Sequence, residues 1–78
     1  MTIKVLGSGC ANCKKLLENV EKSVDALNIQ AEVLYLTSYK DIMESGLLKT
    51  PGLIIDEKIV SSGKVLSVEE IQKILINH

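Results

Sequence analysis

Two short runs rich in β-branched and aliphatic residues, Thr2–Leu6 and residues 31–36, enclose a stretch whose apolar side chains recur at helical intervals. That succession constrains the fold more than any other feature of the chain. Cys13, Leu17, Val20, Val24 and Leu27 follow at steps of four, three, four and three, one stripe along a helix that ends near Asn28. A strand, a crossover helix and a second strand imply a parallel pair joined in the right-handed sense. Glu32 is the only charge in the second run, which therefore reads as a largely buried strand.

The second half supplies shorter elements. Ser38, followed three residues on by Asp41, has the form of a capping box, and Gly46 suits the far end of a short helix carrying Ile42 and Met43. Pro51, the sole proline, opens a strand over 53–55, a position where a missing backbone donor is tolerated. Asp56 and Glu57 then turn the chain into a run over 58–61, predicting an antiparallel hairpin. Ser67 and Glu70 form a capping box for a last helix with Val68, Ile71, Ile74 and Leu75 on its apolar side. The expected order is βαβαββα, an α/β arrangement, and 78 residues leave room for one domain, 1–78.

Composition excludes several classes of function. With 46% hydrophobic and 24% charged residues, the chain is expected to bury a core and not to remain disordered. Nine basic against ten acidic residues give a net charge of -1, which offers nothing to a phosphate backbone or an anionic membrane surface. No apolar run approaches a membrane span, and the first six residues are too short and too weakly cationic for a signal peptide. A cytoplasmic monomer without nucleic-acid or membrane partners is expected.

The two cysteines, Cys10 and Cys13, are separated by Ala11 and Asn12. Closing so small a ring removes little entropy from the unfolded chain, so a structural staple is a poor explanation for the pair. In a reducing compartment such spacing belongs to catalysis or metal binding. If the helix begins around Cys10, that sulfur lies over unpaired backbone N–H groups and the positive end of the helix dipole, which favour its thiolate. Cys10 is thus the expected nucleophile. Cys13 begins the inward stripe and is expected to be less exposed, to keep its proton longer and to act as the resolving thiol. Lys14 and Lys15 read as solvated residues of the first turn, and Tyr35 and Tyr39 as core and surface residues. His78, the only histidine, stands at the terminus, where a catalytic partnership with cysteine is poorly supported.

Gly7-Ser8-Gly9-Cys10-Ala11-Asn12-Cys13-Lys14-Lys15-Leu16, the Thr50-Pro51-Gly52-Leu53-Ile54-Ile55-Asp56 segment, and Ser61-Ser62-Gly63-Lys64-Val65 with the following Ser67-Val68-Glu69-Glu70-Ile71 resemble the small prokaryotic thioredoxin-like proteins known as redox-active disulfide proteins. The resemblance covers nearly the whole chain. It implies a minimal thioredoxin fold, with a four-stranded mixed sheet flanked by three helices, and thiol-disulfide exchange through Cys10 and Cys13 without a cofactor or resident metal. It also implies disulfide-containing protein substrates and a thioredoxin-reductase-like or other dithiol electron donor. Thr50 and Pro51 are implied as a substrate-binding pair joined by a cis bond beside the cysteines, although only about 5–6% of X–Pro bonds are cis in general. The buried acid of larger thioredoxins, six residues before the first cysteine, is replaced here by Lys4, and only Gly63 matches the glutathione-binding glycine pair of glutaredoxins.

One other class competes. Gly9 to Cys13 with Val20-Glu21-Lys22 also resembles the heavy-metal-associated domain of copper chaperones, in which two thiolates bind the soft ion Cu(I). That domain has a βαββαβ order ending in a strand, whereas the last segment of this chain reads as a helix. A closed zinc site is disfavoured as well, since two cysteines and one histidine fall short of four ligands.

Overall fold

A computed structural model describes residues 1–77; His78, considered above as a terminal histidine, lies outside the described residues. The elements are β1 (Thr2–Leu6), α1 (Ala11–Leu27), β2 (Glu32–Leu36), α2 (Tyr39–Ser45), β3 (Gly52–Ile55), β4 (Lys58–Ser62) and α3 (Val68–Ile76). This is the βαβαββα order expected from the sequence. The strands form one sheet in the order β2-β1-β3-β4, with β1 parallel to β2 and the other two pairings antiparallel. Among the described residues, no helix is long and apolar enough to cross a membrane.

Alternation along the strands gives the sheet two unlike faces. Ile3, Val5, Leu53 and Ile55 point to one side and are buried with Leu16 and Val20 of α1, Leu66, and Ile71 and Leu75 of α3. Removing these side chains from water is the main stabilising term, at about 25 cal/mol per Å² of apolar surface. On the other side Lys4, Leu6, Leu36 and Ile54 line a shallow cavity with Asp41, Glu44 and Ser45 of α2. No residue of α2 is buried, so this short helix covers its face thinly.

Structure and sequence differ at three places, each for a physical reason. The buried stripe of α1 is Cys13, Leu16, Asn19, Val20 and Ser23, while Leu17, Val24 and Leu27 are only partly buried along its flank. The rotation depends on two polar side chains finding acceptors far away in sequence: Asn19 Nδ2 donates to the Leu66 carbonyl at 2.8 Å, and Ser23 Oγ lies 2.7 Å from the Asn19 carbonyl and 3.1 Å from that of Val68. The second difference is at β2, which is half-buried where a largely buried strand was expected, because the strand order leaves it at the sheet edge. Third, Ser38 occupies the N-cap of α2 without a side-chain bond, so the Ser38 and Asp41 pattern does not close into a capping box. By contrast, Ser67 and Glu70 close both bonds of theirs at 3.2 Å.

Lys4 stands on the other side of the sheet. Its position on β1 faces away from α1, and its Nζ pairs with Glu57 Oε1 at 3.1 Å. Its neighbour Val5 faces the other side, in the core beneath α1. The same pair helps explain the β3–β4 turn, where Asp56 and Glu57 both take positive φ, 47° and 71°. Such angles are unfavourable for side-chain-bearing residues. Here β1 holds the turn: Thr2 N–H donates to Asp56 Oδ1 at 2.8 Å, Asp56 N–H donates to the Thr2 carbonyl at 2.9 Å, and Lys4 holds Glu57.

Replacing Asn19 by Ala should leave the Leu66 carbonyl buried without its donor and lower the unfolding free energy by about 1–3 kcal/mol in a urea titration. A loss within error would show that this bond does not set the face of α1.

Candidate active site

The site is built at the end of the sheet where β1 runs out into a glycine-flanked loop. Gly7 N–H still donates to the Leu36 carbonyl at 3.1 Å, extending the β1–β2 pairing by one residue. The loop then turns at Gly9, whose φ of 88° is a left-handed value that glycine adopts without strain, and delivers Cys10 to the N-cap of α1. Gly7 is needed for another reason. A Cβ at this position would lie 2.3 Å from Cys13 Sγ, so the buried sulfur packs directly on the glycine backbone.

The two thiols occupy unlike surroundings. Cys10 is exposed and Cys13 is fully buried, and both are free. Cys10 takes the place usually filled by Ser, Thr, Asp or Asn, and its Sγ accepts the otherwise unpaired backbone N–H of Cys13 at 3.3 Å. Lys14 N–H donates to the Cys10 carbonyl at 3.0 Å, closing the first helical turn. The pKa of Cys10 is lowered, first by hydrogen bonding from the Cys13 side chain and then by the backbone N–H of Cys13, with smaller help from the N–H groups of Asn12 and Cys10 itself. Neither Lys14 nor Lys15 is among its causes, in keeping with the solvated role read from the sequence.

Thr50 and Pro51 arrive at the same sheet end. Leu6 is in register with Gly52, so the residue preceding β3 stands level with the start of the glycine loop. The Thr50–Pro51 bond is cis, as the resemblance implies, Pro51 is buried, and its carbonyl accepts the Gly63 N–H at 2.8 Å. The topology thus gathers Cys10, Cys13, Thr50 and Pro51 at one end.

Sequence reasoning missed Gly7 as a packing position, because it read the glycines only as turn formers. It also missed Tyr35. This residue is in register with Val5, and its buried hydroxyl has no hydrogen-bond partner among the described residues. Burial, then the charges of Cys13 and Cys10, raise its pKa. A β-strand tyrosine gives no signal of this kind until the strand order is known.

No group of three or more His, Cys, Asp or Glu side chains able to hold a metal ion occurs among the described residues. The element order counts against the copper-chaperone reading, since the last described element is α3 and not a strand.

Comparison with known proteins agrees with this geometry. A family model described as thioredoxin domain matches residues 1–76. The chain is 43% identical over 75 residues to a thioredoxin of Methanothermobacter thermautotrophicus, covering 96% of this chain and 97% of that protein. It is 41% identical over 73 residues to a thioredoxin of Methanocaldococcus jannaschii, covering 94% and 84% of the two.

Two outcomes follow. Between the folded-state pKa of Cys10 and the ordinary thiol value, the unfolded chain binds more protons than the folded one, so the stability of the reduced protein should rise with pH across that window and level off above it. Denaturant titrations over a pH series test this, and the slope should vanish in Cys10→Ser. Replacing Gly7 by Ala should lower stability by about 1–3 kcal/mol through overpacking against Cys13, measured the same way; an unchanged midpoint would mean that the contact relaxes freely.

Proposed function

The chain belongs to the thioredoxin domain family and is a thiol-disulfide oxidoreductase; on that premise we propose that Cys10 is its nucleophile and Cys13 its resolving thiol. The observation that carries this assignment is the exposed sulfur of Cys10 at the N-cap of α1, beside a second sulfur that solvent does not reach.

The cycle follows from this difference. Cys10 thiolate attacks one sulfur of a partner disulfide, forming a mixed disulfide and releasing the partner's other sulfur as a thiolate. Cys13 gives up its proton and attacks Cys10 Sγ, breaking the mixed disulfide and closing the Cys10–Cys13 bond. The released thiols of the partner take up protons. The partner has gained two electrons and the protein has lost two. Run backwards, the same steps recharge the protein from a dithiol donor.

Membership in the family implies disulfide substrates and a reductase in general terms. The finer reading is that the substrates are disulfide-bearing proteins, that a thioredoxin-reductase-like or other dithiol protein supplies the electrons, and that the chain acts as a monomeric thioredoxin-like domain. Thr50 and Pro51 are assigned to substrate binding, the Thr50 backbone pairing with an extended substrate segment beside Cys10. Their place at the loop end of the sheet supports this. A cytoplasmic setting suits a chain whose only cysteines are a closely spaced exchange pair.

In an insulin-reduction assay, Cys10→Ser should abolish turnover. Cys13→Ser should instead accumulate a stable mixed disulfide through Cys10, visible as a mass adduct that dithiothreitol removes. Undiminished activity of Cys10→Ser would overturn the assignment of roles.

A further inference from the structure

Leu36, Leu6, Gly52 and Ser62 stand level across the sheet, so the residues that follow β2, β1 and β4 and those that precede β3 share the end where Cys10 is exposed. Every one of these four connections leads into a lysine. Lys14 and Lys15 stand at the start of α1 just past Cys13, Lys40 in the first turn of α2, Lys49 before Thr50 and Lys64 after Gly63. All five are exposed, and among the described residues none of them is in an ion pair. With strands about 4.8 Å apart the row is about 15 Å wide, within about two Debye lengths at physiological ionic strength. The five charges therefore act together on whatever approaches Cys10.

Carboxylates are scarce at this end. Asp41 follows Lys40 in α2. Glu18 is bound by Lys22 at 2.8 Å, although Lys15 also acts on it. Glu69 and Glu70 lie in the first turn of α3, where the Leu66 and Val68 carbonyls accept from Asn19 and Ser23, about 12 Å or more along α1 from its first residue. Glu70 is also engaged with the Ser67 N–H at 3.2 Å. Asp56 and Glu57 form the turn at the opposite end of the sheet. A chain of net charge -1 thus presents a cationic end around its reactive sulfur. Lys49 is the most firmly placed of the five. A Cβ on Gly63 would lie 3.0 Å from Lys49 Cβ and 3.2 Å from its Cδ, so the lysine stem runs along the Gly63 backbone. The Gly63 N–H in turn donates to the Pro51 carbonyl at 2.8 Å, which tethers the lysine next to the Thr50–Pro51 bond.

We infer that this lysine rim is the docking surface for protein partners whose disulfide is flanked by acidic side chains. The inference deepens the function proposed above and rests on it. Carboxylates beside the partner's sulfurs meet ammonium groups that have no partner of their own, which steers the encounter and selects the disulfides that reach Cys10. Charges on a rim act on the rate of association and its salt dependence. The chain has no arginine, and so lacks the planar fork that pairs bidentately with phosphate, which favours a protein surface over a nucleic-acid backbone as the occupant.

The test follows the reduction of three peptide disulfides by the reduced full-length chain: the homodimers of acetyl-Glu-Cys-Glu-amide, acetyl-Gln-Cys-Gln-amide and acetyl-Lys-Cys-Lys-amide. Added salt should slow the acidic peptide and leave the neutral one unchanged. Lys49→Glu combined with Lys64→Glu should slow the acidic peptide by about tenfold, speed the basic one and leave the neutral one at the wild-type rate. Lys58→Glu combined with Lys73→Glu makes the same change in net charge away from the rim, and should leave all three rates near wild type. Equal effects of the two double variants, or rates indifferent to peptide charge, would sink the proposal. So would rim variants that slow all three peptides alike, since the lysines would then act on the chemistry and not on docking. Cys10→Ser separates the two levels of failure. If it still reduces the peptides, the assignment of the nucleophile is wrong and the docking surface falls with it; if reduction needs Cys10 and shows no charge preference, only the docking surface is lost.

Discussion

A helix leaves its first backbone N–H groups without acceptors, and in this protein a sulfur meets one of them. The bond from Cys13 N–H to Cys10 Sγ makes the reactive atom part of the helix terminus. Because the cap residue precedes the helix, its side chain remains in solvent, while the residue three places on is carried into the interface with the sheet. One local geometry therefore yields an accessible anion and a shielded thiol. Neither a free cysteine nor a cysteine in mid-helix would provide both.

Cys13 packs directly against backbone. Gly7 lies flat against it, and Gly7 is fixed in turn by its bond to Leu36 at the edge of the sheet. The interior thus reaches the site through β1 and β2, whereas β3 brings Pro51 from the other side. On the far face, α2 buries none of its residues and packs over a cavity half of whose lining residues are charged. The stability of the molecule is concentrated on the side that carries the chemistry.

Much of this was legible in the sequence because it is local. The span of β1, the αL termini at Asn28 and Gly46, the Ser67–Glu70 capping box and the Cys10–Cys13 pair each depend on a few adjacent residues. What was misread depends on distant partners. Asn19 and Ser23 turn inward only because carbonyls some 45 residues later accept from them. Residues 31–36 looked like a buried strand, yet apolar composition does not reveal that β2 ends up at an edge.

The two residues between the cysteines also fix a rotational phase. Successive positions on an α-helix are offset by about 100°, and only one azimuth around α1 leads from the solvent-facing terminus to the groove over Gly7. Lengthening the spacer by a single residue would swing the second sulfur about a quarter-turn or more out of that groove, leaving the first still at its terminus. The chemistry of such a variant would stop at the adduct: a handle that grips and has no means of letting go.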